Sequence, residues 1–286
     1  MRNRMISIDD DTGALLALSQ ALIGIVAILG DLIALFCARL KDGLLPQVTL
    51  VFWMLTMLAA TVGETGGDAL SMALKLGYIQ STLLFLGLFA AVFTAQLFTK
   101  RFTMAFYWGL VLATMAVGTT TSDYLHRTVG LGYIQSSAML LWAVLAVLIT
   151  WRHAMGSVEF GDITSPKNKL FYWVTILVCN TLGTSLGDFV GSTEKLGFER
   201  GAMVFTGLIA CLAALHFFTE LSGACLFWTA YVLIRPLGTA LGDILTRPHA
   251  EGGLALGSIT SSLTILAAMV VMIALSYRHQ ARAHAA

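Results

Sequence analysis

Charged residues are scarce in this sequence: they make up 12% of the 286 residues, whereas hydrophobic residues make up 57%. The mean hydropathy is +0.82. A chain with so little charge cannot cover an ordinary soluble domain, so the composition predicts an integral membrane protein with the lipid bilayer as its main partner. The net charge of +1 gives no reason to expect nucleic acid or an acidic molecule as a partner.

Paired cysteines and catalytic motifs are also missing. The four cysteines stand singly in apolar segments, without the CxxC spacing of metal sites, and we interpret them as packing residues. The chain has no HExxH and no P-loop, and we expect no pairing of its serines with its histidines. The sequence therefore predicts no enzyme, and a bound divalent cation is the one cofactor candidate.

One short pattern occurs four times. The copies read GETGGD, GTTTSD, GTSLGD and GTALGD, and they end at Asp68, Asp123, Asp188 and Asp243. A tryptophan stands fifteen residues before each aspartate, and a glycine stands nine residues after it. Two spacings that are kept in four places indicate an internal repeat.

Each repeat is expected to form two transmembrane helices, the first of which carries the motif. The predicted first helices are 48–74, 104–126, 170–193 and 225–247. The predicted second helices are 79–98, 133–150, 198–219 and 253–276. One further apolar segment, 13–38, stands outside the repeat. The predicted fold is an all-α, polytopic transmembrane helical bundle of about nine spans.

The spacing of the aspartates groups the repeats into two pairs. Successive aspartates are 55, 65 and 55 residues apart, and the extra ten residues lie in a polar connection. An even number of helices in each repeat makes the four repeats parallel, so we predict two pseudo-symmetric halves. The predicted domains are a tail with an extra helix (1–46), a first half (47–150), a cytoplasmic linker (151–169), a second half (170–276) and a C-terminal tail (277–286).

The motif aspartates are expected to face the interior of the bundle. We interpret the tryptophans as anchors at the membrane interface, which places the four aspartates at one shared depth within the hydrocarbon region. A charged aspartate at a helix centre costs about 2.5–3.5 kcal/mol on insertion, so four of them disfavour contact with lipid. A structural hydrogen bond near a helix end is the alternative role.

A second oxygen ligand stands four residues before each aspartate, on the same helix face. Carboxylate and hydroxyl oxygens suit hard cations such as Mg²⁺, Ca²⁺, Mn²⁺, Na⁺ or protons. The predicted cation-binding residues are Glu64, Asp68, Thr119, Asp123, Thr184, Asp188, Thr239 and Asp243. The five acids among them are the candidate metal ligands. For the threonines, a hydrogen bond to a carbonyl of their own helix is an equal alternative.

One basic residue is expected in the interior. Arg235 stands three residues before the glycine that opens the fourth motif, and we interpret it as a counter-ion. Five interior acids against this one arginine would leave a formal charge of about minus four, so protons or a cation should be bound. The motif glycines are expected to let helices approach closely, as small residues spaced by four do in membrane proteins.

The repeats resemble a known bacterial family. An aromatic residue and a tryptophan open each copy, and the fourth copy contains the stretch RPLGTALGD. Over residues 47–276 the chain resembles the uncharacterised membrane-anchored proteins built from a repeat of unknown function. The resemblance implies the helical membrane fold and location in the bacterial cytoplasmic (inner) membrane, but no activity. Glu64, where the other copies have threonine, departs from the pattern, and the helix at 13–38 is an addition to it.

Loop charges give the orientation. Nine lysines and arginines lie on the side where the tryptophan-bearing helices begin, against seven on the other side. The positive-inside rule therefore predicts a cytoplasmic C-terminus and an external N-terminal tail.

Three functions are consistent with these features. The leading hypothesis is a transporter of a hard cation, with divalent metals among the candidates, in exchange for protons. The alternatives are a cation channel lined by a ring of aspartates and a membrane scaffold that binds another protein.

Overall fold

The computed structural model describes residues 49–98, 104–158, 165–193, 197–218 and 222–283. Throughout these ranges the regular structure is helical, and no strand is formed there. The predicted N-terminal tail and the predicted helix at 13–38 lie outside the described residues.

The described chain forms eight α-helices. In chain order, α1 to α8 are Leu50–Asp68, Tyr78–Phe98, Met104–Asp123, Tyr133–Met155, Pro166–Asp188, Gly197–Phe218, Gly223–Thr246 and Ser258–Ala283. All eight are long and apolar enough to cross a membrane, which is compatible with a multi-pass membrane protein. Each corresponds to one of the helices predicted for the four repeats.

Several helix ends differ from the predicted ones, and two of these ends are set by local caps. α4 continues past the predicted end at 150 and ends at Met155, because Gly156 adopts the left-handed conformation that closes many helices. α5 begins at Pro166 because Ser165 accepts a hydrogen bond from the backbone amide of Asn168. α8 begins at Ser258, five residues later than predicted.

Three helices change their winding after the motif aspartate. Asp68, Asp123 and Asp188 are each the last α-helical residue, and a five-residue π-helix follows each of them. π-Helical turns are rare and often occur at functional sites. The fourth motif helix differs, since it stays α-helical to Thr246. The motif aspartates therefore lie where three of these helices change their winding.

The four motif-bearing helices pack in a closed circle. α1 contacts α3, α3 contacts α5, α5 contacts α7, and α7 returns to α1. We call these the inner helices. The other four, the outer helices, lie outside this circle: α2 packs on α3, α4 on α5, α6 on α7, and α8 on α1. Each outer helix thus packs against the inner helix of the following repeat.

The first glycine of each motif lies against the neighbouring inner helix. A Cβ built on Gly118 would lie 2.8 Å from both the carbonyl carbon and the Cβ of Asn180, closer than real Cβ atoms approach. A Cβ built at the first glycine of the other three motifs would also come too close to its neighbour. Gly63 meets Met115, Gly183 meets Arg235, and Gly238 meets Ala60. Each partner stands three residues before the motif glycine of its own repeat. One contact is therefore repeated around the circle, and the predicted packing role of the glycines is confirmed.

The aromatic pairs that open the inner helices form a second closed circle. The first aromatic of each pair contacts the tryptophan of the following repeat, with centroid distances of 5.7 Å for Phe52–Trp108, 6.0 Å for Tyr107–Trp173, 6.0 Å for Tyr172–Trp228 and 5.5 Å for Phe227–Trp53. We call these eight residues the aromatic layer.

Three of the four tryptophans that open the repeats are buried within the protein. Trp108, Trp173 and Trp228 expose 2%, 6% and 5% of their surface. Our interpretation of these three as interface anchors is therefore wrong, because protein contacts cover their rings. Most of the exposed large apolar side chains lie on the outer helices instead, where Trp142 and Met203 expose 73% and 72%. Such an apolar outer surface suits contact with lipid.

Replacing Gly118 by alanine should lower the stability of the protein by about 1–3 kcal/mol, because the new Cβ would displace Asn180 and with it α5. Gly207→Ala in α6 is the matched control, since a Cβ there meets nothing within 4 Å. Alanine's better helix propensity would stabilise that variant by up to about 1 kcal/mol. Thermal unfolding of both variants in detergent tests this expectation, and equal melting temperatures would contradict it.

Candidate functional site

The predicted acids lie together near the end of the inner helices that is opposite the aromatic layer. Fifteen residues of helix separate each tryptophan from its aspartate, which corresponds to about 22 Å. We call the five acids the acid cluster; they are Glu64, Asp68, Asp123, Asp188 and Asp243. All five are buried. The inner helices thus combine an apolar end with an end rich in carboxylates.

Glu64 is the acid with the most hydrogen bonds. Its Oε2 accepts hydrogen bonds from the hydroxyls of Thr119, at 3.1 Å, and Thr239, at 2.9 Å. Arg235 forms an ion pair with the same oxygen, at 3.4 Å from Nη2. These donors belong to α3 and α7, so Glu64 of α1 connects three inner helices.

Arg235 is completely buried among the inner helices. Its Nη1 donates to the carbonyl of Ala60 at 2.9 Å, and its Nη2 donates to the carbonyl of Met115 at 3.1 Å and to the hydroxyl of Thr119. The guanidinium is therefore surrounded by two backbone carbonyls, the Glu64 carboxylate and two hydroxyls, those of Thr119 and Thr239. This arrangement agrees with the counter-ion role that the sequence suggested.

Two of the motif aspartates pair with an arginine one helical turn later. Arg127 donates from Nε to Oδ1 of Asp123 at 3.0 Å, and Arg247 donates from Nε to Oδ1 of Asp243 at 2.8 Å. Burial alone would lower the pKa of Arg247, but the Asp243 carboxylate raises that pKa above its ordinary value. The Arg247 guanidinium therefore stays charged.

Each of these aspartates keeps one oxygen without a partner. Oδ2 of Asp123 and Oδ2 of Asp243 are buried and accept no hydrogen bond from any residue that the structure describes. Buried carboxylate oxygens are costly without a partner, so these atoms are available to a ligand.

Three acids approach one another closely enough to share one ion. Glu64, Asp188 and Asp243 each offer a carboxylate oxygen, and the three oxygens lie within 4.8 Å of one another. Two oxygens bound to the same Ca²⁺ at 2.3–2.6 Å can be at most about 5.2 Å apart. The trio is thus compatible with one hard cation held between α1, α5 and α7. The predicted ligands Asp68 and Asp123 are not members of this trio.

The three motif threonines donate hydrogen bonds to different kinds of acceptor. We expected each to form an oxygen cluster with the aspartate of its own motif. Thr119 and Thr239 instead donate to Glu64 on another helix. Thr184 donates to the carbonyl of Asn180 on its own helix, at 3.3 Å, which is the alternative considered for it. The clustered oxygens therefore come from different helices rather than from within one motif.

Arg127 and Arg247 are the site residues that the sequence argument missed. Both are among the seven basic residues that the orientation argument assigns to the side opposite the starts of the tryptophan-bearing helices. The expected interior charge of about minus four is therefore wrong, because it omits two positive charges. Their spacing of four residues from an aspartate is the signal that would have found them, because such pairs share a helix face. In the first and third repeats the same position holds Met72 and Ser192, so only alternate repeats carry the pair.

A serine and a histidine also meet beside the acid cluster, against expectation. Ser185 Oγ lies 3.2 Å from His126 Nε2, and His126 Nδ1 lies 4.0 Å from Asp188 Oδ2. The letters GTSLG around Ser185 match the GxSxG pattern of serine hydrolases. The geometry does not suit a nucleophile, because Ser185 is fully buried inside α5 and 4.0 Å exceeds a hydrogen bond. Hydrogen bonds of Ser185 to Ser136 and Ser137 instead connect α5 with α4.

Sequence comparison independently finds the fourfold repeat. A family described as Repeat of Unknown Function (DUF347) matches residues 51–102, 106–156, 171–222 and 226–282. The chain belongs to this family. Each DUF347 match covers most of one inner helix and of the outer helix that follows it in sequence. No curated protein and no solved structure matches the chain.

Replacing Arg235 by methionine should destabilise the protein by about 3–5 kcal/mol, because Glu64 would lose its buried counter-ion. The double variant E64Q/R235M should cost less than the two single variants together, since it leaves no unpaired charge at this position. Unfolding free energies in detergent form the double-mutant cycle, with E199Q at the exposed start of α6 as control. Additive costs would show that the pair is not coupled.

Proposed function

We propose that the protein is an integral membrane transporter that moves a hard cation, with a divalent metal ion as the first candidate, in exchange for protons. The observation that carries the proposal is the trio of carboxylates contributed by three different inner helices. Acids inside a membrane bundle are costly, and they commonly mark ion pathways. Oxygen ligands alone select hard cations over soft ones.

Ligands on separate helices suit a transporter because a movement of one helix changes the site. Glu64 belongs to α1, Asp188 to α5 and Asp243 to α7. A small displacement of any of these helices would separate the oxygens and release the ion. The negative charge that remains would then need compensation, and protons on the carboxylates can supply it. Exchange of a cation for protons follows from this requirement.

The packing of the aromatic layer favours a transporter over a channel. A channel needs a continuous path through the protein, whereas the aromatic residues at the opposite end of the inner helices are packed against one another around the circle. Tyr107 and Tyr172 also form a hydrogen bond of 2.8 Å between their hydroxyls. Ion movement past this layer would require rearrangement, as alternating access does.

We further propose a bundle of nine spans in the bacterial cytoplasmic membrane, with a cytoplasmic C-terminus, in which four parallel repeats form two pseudo-symmetric halves. The alternation of arginine pairs supports two halves, because Asp123–Arg127 and Asp243–Arg247 occur in the second repeat of each half. The loop charges support the orientation. We expect no enzymatic activity.

Transport of Mn²⁺ into liposomes tests the proposal. Purified protein should mediate Mn²⁺ uptake driven by a proton gradient. E64Q, D188N and D243N should each slow uptake at least about tenfold, the equivalent of 1.4 kcal/mol of lost interaction. E251Q is the matched control, since Glu251 is exposed and lies outside the acid cluster.

Three results would contradict the transporter. Normal uptake by the three variants would remove the acid cluster from the mechanism. Mn²⁺ conductance without proton movement would favour a channel. Well-folded protein that neither binds nor moves a cation, and whose cellular role survives neutralisation of the acids, would favour a membrane scaffold.

A further inference from the structure

Three arginines form ion pairs with members of the acid cluster. Arg235 lies against Glu64, Arg127 against Asp123, and Arg247 against Asp243. With every group in its ordinary ionised form, five negative charges and three positive charges leave a formal balance of minus two. One divalent cation would neutralise this balance, whereas two divalent cations would exceed it.

Arg127 and Arg247 occupy corresponding positions just after α3 and α7, two inner helices that are not neighbours in the circle. Each follows the motif aspartate of its own helix by four residues and contacts the same oxygen, Oδ1. The side chain of Arg127 is 37% exposed and that of Arg247 is 26% exposed, so both reach from the edge of the cluster towards its carboxylates. Their guanidinium groups act as tethered cations for Asp123 and Asp243.

Each of these arginines contacts only one of the two carboxylate oxygens of its aspartate. The remaining oxygens, Oδ2 of Asp123 and Oδ2 of Asp243, are buried and have no partner among the described residues. Asp243 is also a member of the trio that can share one ion. An oxygen that is buried without a partner is unfavourable, so its presence beside the trio points to a bound cation as the missing partner.

We propose that the acid cluster binds one divalent cation per chain, and that Arg127 and Arg247 set this number by neutralising two of the five carboxylates. The inference rests on the proposed cation-binding function. Without the two arginines the cluster would carry a formal charge of minus four, and both oxygens of Asp123 would be free for a ligand. A second divalent cation would then have both the charge and the oxygens that it needs.

Counting bound Mn²⁺ on the purified full chain tests this proposal. Equilibrium dialysis against Mn²⁺ should give one ion per wild-type chain at saturation and two per chain in R127Q/R247Q. The variant R127K/R247K is the matched control, because it keeps both positive charges, and it should bind one ion.

A single variant provides a test that does not depend on the folding of the double variant. R127Q alters the more exposed arginine and should lower the Kd of the single Mn²⁺ at least about tenfold, because one positive charge near the ion is removed. Elution volume and melting temperature in detergent verify that each variant is folded.

The results separate the two proposals. A wild-type chain that binds no Mn²⁺ would overturn cation binding and this inference together. A wild-type chain that binds one ion, with an unchanged Kd in R127Q and one ion in folded R127Q/R247Q, would overturn the arginine role alone. Two ions per wild-type chain would also overturn it.

Discussion

The close approach of the inner helices depends on the lack of a side chain at one position in each repeat. Helices in lipid gain little from the hydrophobic effect when they associate, so their contacts rely on packing and polar bonds. The motif glycines bring each backbone against its neighbour. Only at such short range can Arg235 of α7 reach the carbonyls of Ala60 and Met115 on two other helices. The polar network is therefore a consequence of the glycine contacts.

The two ends of the inner helices differ in composition: one end is packed with aromatic side chains, and the other carries the acid cluster. At one end, aromatic side chains of neighbouring repeats pack against each other and bury large apolar surfaces. At the other end lie the five acids, of which Asp123 and Asp243 each keep a buried oxygen without a partner among the described residues. Three of the four inner helices become π-helical at this end. A bundle with such costly groups at one end needs favourable packing elsewhere, and the aromatic layer supplies it.

Much of the helical fold could be predicted from local patterns. The Trp-to-Asp and Asp-to-Gly spacings identified the repeat and located eight helices, most of whose ends lie within a few residues of the prediction. Caps at Gly156 and Ser165 set two of the other ends, and α8 begins five residues and ends seven residues later than predicted. The burial of Trp108 could not be predicted in this way, because a tryptophan at a helix start looks the same whether lipid or another helix covers it. Whether lipid or a neighbouring helix covers the tryptophan depends on the order of the helices around the circle.

The candidate site was predicted in its residue types but not in its pairings. The sequence indicated the acids and Arg235, and it could not show that Thr119 and Thr239 contact Glu64 rather than their own aspartates. Such contacts depend on which helices become neighbours. The sequence could have predicted the pairs Asp123–Arg127 and Asp243–Arg247, because the two partners in each pair are four residues apart.

The packing of α8 on α1 has a consequence for how this protein can evolve. The last outer helix takes the position on the first repeat that α2 takes on the second, so no repeat is left as a free end. Open-ended solenoids can gain or lose units at their termini because each unit contacts only its neighbours in sequence. Here a deletion or an added unit would break the closure between α7 and α1. The copy number of four is therefore a property of the architecture, and divergence should proceed by substitution within the units, as Glu64 and Arg235 already illustrate.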